Sequence, residues 1–430
     1  MKRITVLSFI ALGVSAFAQT IGNSPYAAYG IGDVKYDNSI DISSMGGIST
    51  AYINDFNNNF NFRNPAANTN FDLTSFQISG TNENNYYKSD YQNIKATKHS
   101  NYLSNISFAF PLSPKLKFGL GYQPYSSKAY EILTSKTLAD NSIEANKFTG
   151  KGTLSTVQAA VGYKISNEFS LGLRSNFYFG KLYDTEELTF SGAELINGYE
   201  TSNKVQSFNF TAGTAYQKTL KNDKKLTLGA TYTFGTTGKM ETYYKNSTYY
   251  YAGIDQKTNE SIIEEKKSTE NNLLPQEFSF GVGYGNEGKW FYSTQLDYKK
   301  GESIQFLGQP FNFQNSYKIS AGGWYLPNYN NFRNYFSRVI YRFGAYYEKG
   351  NLSISPMASA TSSNVNRYAV TAGVSLPFAT SNINRLNGLD IGIELGKRGT
   401  LENNMIRQNF VNLKIGLNFA DKWFQKRQYD

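Results

Sequence analysis

The strongest constraint on this chain is an alternation of apolar and polar residues with period two, in runs of about ten. In Phe410 to Phe419, Val411, Leu413, Ile415, Leu417 and Phe419 alternate with Asn412, Lys414, Gly416 and Asn418. Leu226, Leu228, Ala230, Tyr232 and Phe234 repeat the pattern, as do Leu389, Ile391, Ile393 and Leu395, and Trp290, Tyr292, Thr294, Leu296 and Tyr298. Period two puts alternate side chains on opposite faces of a strand. About ten residues is the length a tilted strand needs to cross a bilayer. The mean hydropathy of -0.48 excludes a bundle of membrane helices. Strands that meet lipid must close into a barrel, because an open edge leaves backbone groups unpaired.

One pass along the chain predicts fourteen strands near 71–81, 101–110, 115–126, 153–164, 168–182, 204–217, 225–235, 277–285, 289–299, 315–325, 336–348, 366–376, 388–397 and 409–419. Connections alternate between tight turns, such as Pro111 to Pro114 and Asn286 to Gly288, and long segments at 82–100, 127–152, 183–203 and 236–276. Short periplasmic turns and long outer loops are the asymmetry of outer-membrane barrels. The strand from Phe71 is irregular, since Phe71 and Leu73 alternate in one phase and Phe76 and Ile78 in the other. A bulge would explain it. The expected fold is therefore all-β, a transmembrane antiparallel β-barrel of about 14 strands.

The N-terminus has the form of a secretory leader: basic Met1-Lys2-Arg3, apolar Ile4 to Val14, and Ala16-Phe17-Ala18 before Gln19. Residues 1–18 are read as a signal peptide cleaved near Ala18. Residues 19–70 form an N-terminal hatch or plug, because Ile31, Met45, Ile48, Tyr52, Phe56, Phe60 and Phe62 supply apolar groups that an exposed tail does not need. Residues 71–420 form the barrel and 421–430 a periplasmic tail. The localisation expected is the outer membrane of a Gram-negative bacterium.

Composition removes much chemistry. With no Cys and the single His99, the chain has no disulfides, no cysteine nucleophile and no multi-histidine metal site. Gly283 to Gly288 fits G-x-G-x-x-G, yet an alternating strand and no helix follows, so the anion site is missing and the motif is a hairpin turn. No enzyme activity, catalytic residue, metal or cofactor is expected, and no nucleic-acid partner. In strand phase, Arg174, Asp297, Lys318, Arg342, Asp390, Glu394 and Lys414 point inward. Glu394 with Lys414, and Asp297 with Lys318, fall on consecutive antiparallel strands and suit cross-strand ion pairs. The net charge of +10 suits anionic surfaces such as lipid headgroups, lipopolysaccharide or nucleic acid.

Several features together resemble the FadL family of outer-membrane transporters for hydrophobic compounds: fourteen strands, a hatch-sized N-terminal segment, and Asn64-Pro65-Ala66 before the first strand. Ser24-Pro25-Tyr26 to Gly30-Ile31-Gly32-Asp33, Met45-Gly46-Gly47 and Asp421-Lys422-Trp423-Phe424 look like a Bacteroidetes branch of such barrels. The resemblance implies that Asn64, Pro65 and Ala66 are a hatch motif. It also implies a kinked third strand opening a lateral portal, for which Gly119, Gly121 and Pro124 are the candidates; proline removes a ladder donor. The implied function is a channel for hydrophobic or amphipathic small molecules (long-chain fatty-acid-like) or lipids, gated by the hatch, with a greasy pocket above it. The alternative is a FadL-like barrel that no longer transports and is a subunit of a secretion or outer-membrane assembly complex, with a protein partner at its periplasmic or extracellular face. The two differ in the lumen: a continuous apolar pocket for transport, a filled and salt-bridged interior for the alternative.

Overall fold

A computed structural model describes residues 21–35, 39–56, 59–90, 93–236, 238–253, 256–271, 274–306, 309–354, 362–378 and 387–422. The leader and Trp423 to Asp430, including the Trp423-Phe424 pair, lie outside the described residues.

Fourteen antiparallel strands close into a barrel: β1 Thr74–Ser89, β2 Ile94–Pro111, β3 Leu116–Ser127, β4 Ile143–Lys164, β5 Phe169–Phe190, β6 Ile196–Thr219, β7 Lys224–Thr233, β8 Glu277–Asn286, β9 Trp290–Lys299, β10 Ser316–Tyr325, β11 Ile340–Lys349, β12 Arg367–Pro377, β13 Gly388–Arg398 and β14 Ile406–Asp421. Each pairs with its sequence neighbour among the fourteen, and β14 closes on β1 from Thr74↔Asp421 to Ser89↔Ile406. Closure leaves no lipid-exposed edge along that seam. The alternation sorts as its chemistry demands: Leu413, Ile415, Leu417 and Phe419 are exposed on the outer wall, while Asn412, Lys414 and Asn418 are buried inside. The Gly283 to Gly288 motif is the end of β8, through Asn286, and the start of its turn into β9, with Gly288 at φ +65.

The irregular phase around Phe71 has one cause: Phe71 and Leu73 precede β1 and are buried inside, whereas Phe76 and Ile78 belong to β1 and face outward. A one-residue register shift between β1 and β2 does occur, but after Ser79 and with its extra residue, Ser104, on β2.

The long segments read as outer loops are largely strand. β4, β5 and β6 run for 22, 22 and 24 residues, against 10 for β7 to β11. Since about ten residues span the bilayer, the surplus carries these strands roughly 40 Å beyond it, measured along the strand. A hairpin of Lys239–Tyr251 and Lys257–Glu270 joins β6, and Tyr130–Thr137 joins β4. The result is a six-stranded wall standing above one side of the barrel. Sequence alternation misses it because water lies on both faces there: nearly every residue from 259 to 267 is exposed.

Candidate functional site

The described residues between 21 and 70 pack against the inside of the barrel wall. The interior carries a girdle of inward glycines, many directly opposite one another across strand pairs: Gly162↔Gly172 and Gly172↔Gly213 on β4, β5 and β6, Gly229↔Gly281 on β7 and β8, Gly322↔Gly344 on β10 and β11, and Gly373↔Gly392 on β12 and β13. Backbone of the N-terminal segment rests on this girdle. A Cβ at Gly162 or Gly172 would strike the Pro65 and Ala66 backbone, one at Gly229 the Thr50 carbonyl, and one at Gly322 or Gly344 the Met45 backbone. Between these contacts Ile42, Met45, Ile48 and Tyr52 form one core with Phe291, Trp324, Leu326 and Ile340 of the wall. Phe60 and Phe71 form another with Ala109 and Ala160.

Hydrogen bonds fix the segment where apolar contact does not. Asn64, fully buried, caps the short helical turn Pro65–Ala67 through its side-chain oxygen, while its Nδ2 donates to the carbonyls of Thr50 at 2.6 Å and Thr214 of β6 at 3.0 Å. Pro65 fits the first helical position, where its missing N–H is not needed. Gln295 of β9 accepts from the backbone N–H groups of Ser49 and Thr50 at 2.8 and 2.9 Å. Arg174 of β5 donates to the Phe62 carbonyl at 2.8 Å, and Gly46 N–H donates to Thr371 at 2.9 Å.

Above this packed layer lies a cavity of 240 Å³. It is not the greasy pocket expected of a hydrophobic channel. Its lining includes seven carboxylates (Asp33, Glu83, Glu277, Asp297, Glu302, Glu348 and Glu394) and seven cations (Lys35, Arg63, Lys299, Lys318, Arg367, Arg398 and Lys414). Most are tied to one another. Lys35 meets Glu83 at 2.9 Å and Asp33 at 3.1 Å, and Arg398 of β13 meets Asp33 at 2.5 Å. Arg367 meets Glu394 at 2.9 Å, with Lys414 at 3.9 Å on the other oxygen. Lys299 meets Glu277 at 3.3 Å. Burial pushes the Asp33 carboxyl up, but Arg398 and Lys35 outweigh that and hold it well below the ordinary carboxylate range.

The inward charges read from strand phase are placed as follows. Arg174, Arg342, Asp390, Glu394 and Lys414 are buried inside. Glu394 and Lys414 do pair, but the closer partner is Arg367, which sequence phase does not single out. Asp297 and Lys318 are directly opposite, yet Lys318 lies over the Tyr346 ring at 4.3 Å and Asp297 accepts from Gln295 at 2.7 Å. His99 is exposed on β2, its Nδ1 2.7 Å from Asn84 Oδ1.

The third-strand residues divide. Gly119 and Gly121 sit in regular pairing opposite Ala109 and Ser107 of β2, and form the bed for the Phe60 and Phe62 rings. Pro124 lies where the ladder changes. Pairing of β2 with β3 runs only from Pro111↔Lys117 to Ile106↔Tyr122, and the β3–β4 register shifts between Pro124 and Ser126. Beyond it, Ser126 and Ser127 pair with Val34 and Asp33 of the N-terminal segment instead of with β2. Asp33, Lys35, Glu83, Arg367 and Arg398 were not legible as a site, because they come from four separate parts of the chain.

A closed fourteen-stranded barrel with an internally packed N-terminal segment defines an outer-membrane barrel of FadL type. Over residues 1–430 the chain matches the model of the BamG family, and it belongs to that family. The fold is similar to that of a Pseudomonas aeruginosa FadL homologue (12% identity, TM-score 0.59, 91% of this chain and 100% of the other). It is also similar to the P. putida toluene transporter TodX (14%, 0.57, 90% and 99%) and to the CymD monoaromatic hydrocarbon channel (12%, 0.57, 92% and 99%). By their names, the last two are a transporter and a channel; at such identities the likeness is one of fold. No curated protein matches the sequence.

Proposed function

We propose that this chain is a non-transporting, FadL-like barrel that serves as a subunit of an outer-membrane assembly or secretion complex. The observation that carries this reading is the lumen. A hydrophobic solute would have to enter a cavity in which seven carboxylates and seven cations are largely neutralised by one another. Stripping water from such a lining without replacing it by polar partners is unfavourable. The N-terminal segment below offers no exit without rupture of its wall hydrogen bonds and the glycine-floor packing. A charged, ion-paired interior suits a body that others dock on, and the tall outer wall and the short turns at the opposite end of the barrel supply faces for docking.

A second reading, hatch-gated passage of a hydrophobic small molecule, is favoured by the fold likeness to hydrocarbon channels and by the seam above Ile106↔Tyr122, where Pro124 and the departure of β3 from β2 would mark a lateral exit.

The test compares two measurements. Depleting the protein is expected to lower the amount of folded barrels in the outer membrane, and gentle extraction to bring partner proteins with it in stoichiometric amount. Uptake of toluene or oleate by proteoliposomes carrying the purified barrel, with barrel assembly unchanged on depletion, would establish transport instead.

A further inference from the structure

We infer that the outer face of β4, β5 and β6, at the base of the tall wall, is a binding site for the phosphate groups of lipopolysaccharide. The outward phase of these strands is set by lipid-facing Val157, Phe177, Phe179, Phe208 and Phe210, the first and the last two of which are well exposed. Continuing that phase above the aromatic residues, Lys181 is the next outward position on β5, while Lys151 on β4 follows the neutral Ser155 and Thr153 and Lys204 on β6 follows Gln206; Lys239 and Lys267 lie on the adjoining hairpin. Apolar strand below and cations within a few residues above is the order in which an outer-leaflet lipid presents its acyl chains and its phosphates.

The register gives the second argument. Lys181 and Lys204 are directly opposite one another, a like-charge cross-strand pair that destabilises a sheet unless an anion lies between them. Glu241 is the carboxylate within this patch; it meets Lys204 at 3.3 Å and Lys239 at 2.7 Å. Lys267 lies over the Tyr243 ring at 5.6 Å, and Tyr243 itself donates to Glu265 one row higher. Lys151 and Lys181 meet no carboxylate among the described residues. Five lysines against one carboxylate contrast with the tall wall above, where Lys245 and Lys257 are ion-paired to Glu200 and Glu260. The excess positive charge is therefore concentrated at the membrane boundary. Those side chains are long enough to reach headgroup phosphates while their stems lie on the aromatic surface. The inference rests on the outer-membrane placement and orientation of the barrel, and not on its role in assembly.

The test uses the full-length barrel in detergent micelles, titrated with purified lipopolysaccharide and separately with phosphatidylglycerol, and read by thermal melting and by native mass spectrometry. Lipopolysaccharide is expected to bind and raise the melting temperature in a salt-dependent manner. The triple variant Lys151→Gln, Lys181→Gln, Lys204→Gln is expected to weaken binding at least tenfold. Lys181→Gln alone should melt at or slightly above the wild-type temperature in lipid-free micelles, because it removes the opposed charge, which also checks that the variants fold. Equal binding by wild type and triple variant would overturn the site. A response to phosphatidylglycerol equal to or larger than that to lipopolysaccharide would overturn the assignment of the ligand.

Discussion

Two layers of the barrel interior are held by different physics. In the lower layer, backbone of the N-terminal segment rests on wall glycines, and specificity is steric: there is room for a peptide and no room for a Cβ. In the upper layer, wall and segment stand apart around a cavity of 240 Å³, and specificity is electrostatic, carried by Asp33, Lys35, Arg367, Glu394 and Arg398. Close packing is intolerant of added volume because backbone cannot yield. An ion-pair network tolerates volume but not the loss of one partner. Substitutions should therefore separate the layers.

The largest effect is expected at Gly172, where a side chain meets the Pro65 and Ala66 backbone. Gly172→Val should destabilise by about 3 kcal/mol or more, seen as loss of the compact, heat-modifiable band in semi-native electrophoresis. Wild-type mobility would mean that the segment does not rest on this floor. Asn64→Ala comes next: it removes a cap and the amide that donates to the Thr50 and Thr214 carbonyls, at about 2 kcal/mol, measurable by denaturant titration in micelles. Unchanged stability would show that the capped turn is dispensable.

In the upper layer the expected effect is smaller and depends on pH. The folded Asp33 carboxyl titrates below the value of about 3.9 for an unfolded chain. Its contribution is then complete above that value and is lost as pH falls through the folded one. Asp33→Asn should melt below wild type by an amount equivalent to about 1 kcal/mol at pH 6, and the gap should narrow below about pH 4. A gap independent of pH would mean that Asp33 acts by packing alone. The smallest effect is expected outside the barrel: deleting residues 241–268 removes strand that is exposed on much of its surface, and melting should stay within about 2 °C of wild type. A larger fall would make the tall wall part of the folding core.

The barrel was legible in the sequence where one face of a strand meets lipid and the other does not. β8, β9, β10 and β13 fall within a residue or two of their expected bounds for that reason. Alternation gives out above the membrane, and Ile94 to Ser100 and Ile143 to Gly152 read as loop although they are strand. Inward phase correctly placed Arg174, Arg342, Asp390, Glu394 and Lys414, because parity alone decides which side a strand residue faces. It did not supply their partners. Arg367 reaches Glu394 from the neighbouring strand, and Arg398 reaches Asp33 across 365 residues of sequence.

What the sequence alone determined, then, is the wall: strand number, facing and closure follow from a local period and from the prohibition on unpaired backbone in lipid. What only the tertiary structure decided is the interior. Whether an inward glycine is a floor for a plug, whether Gly119 and Gly121 bed Phe60 and Phe62 while Pro124 lies where β3 leaves β2, and whether the cavity is apolar or charged all depend on which distant residues come to share one height in the barrel. That height is fixed by the register of fourteen strands together, and no local pattern encodes it.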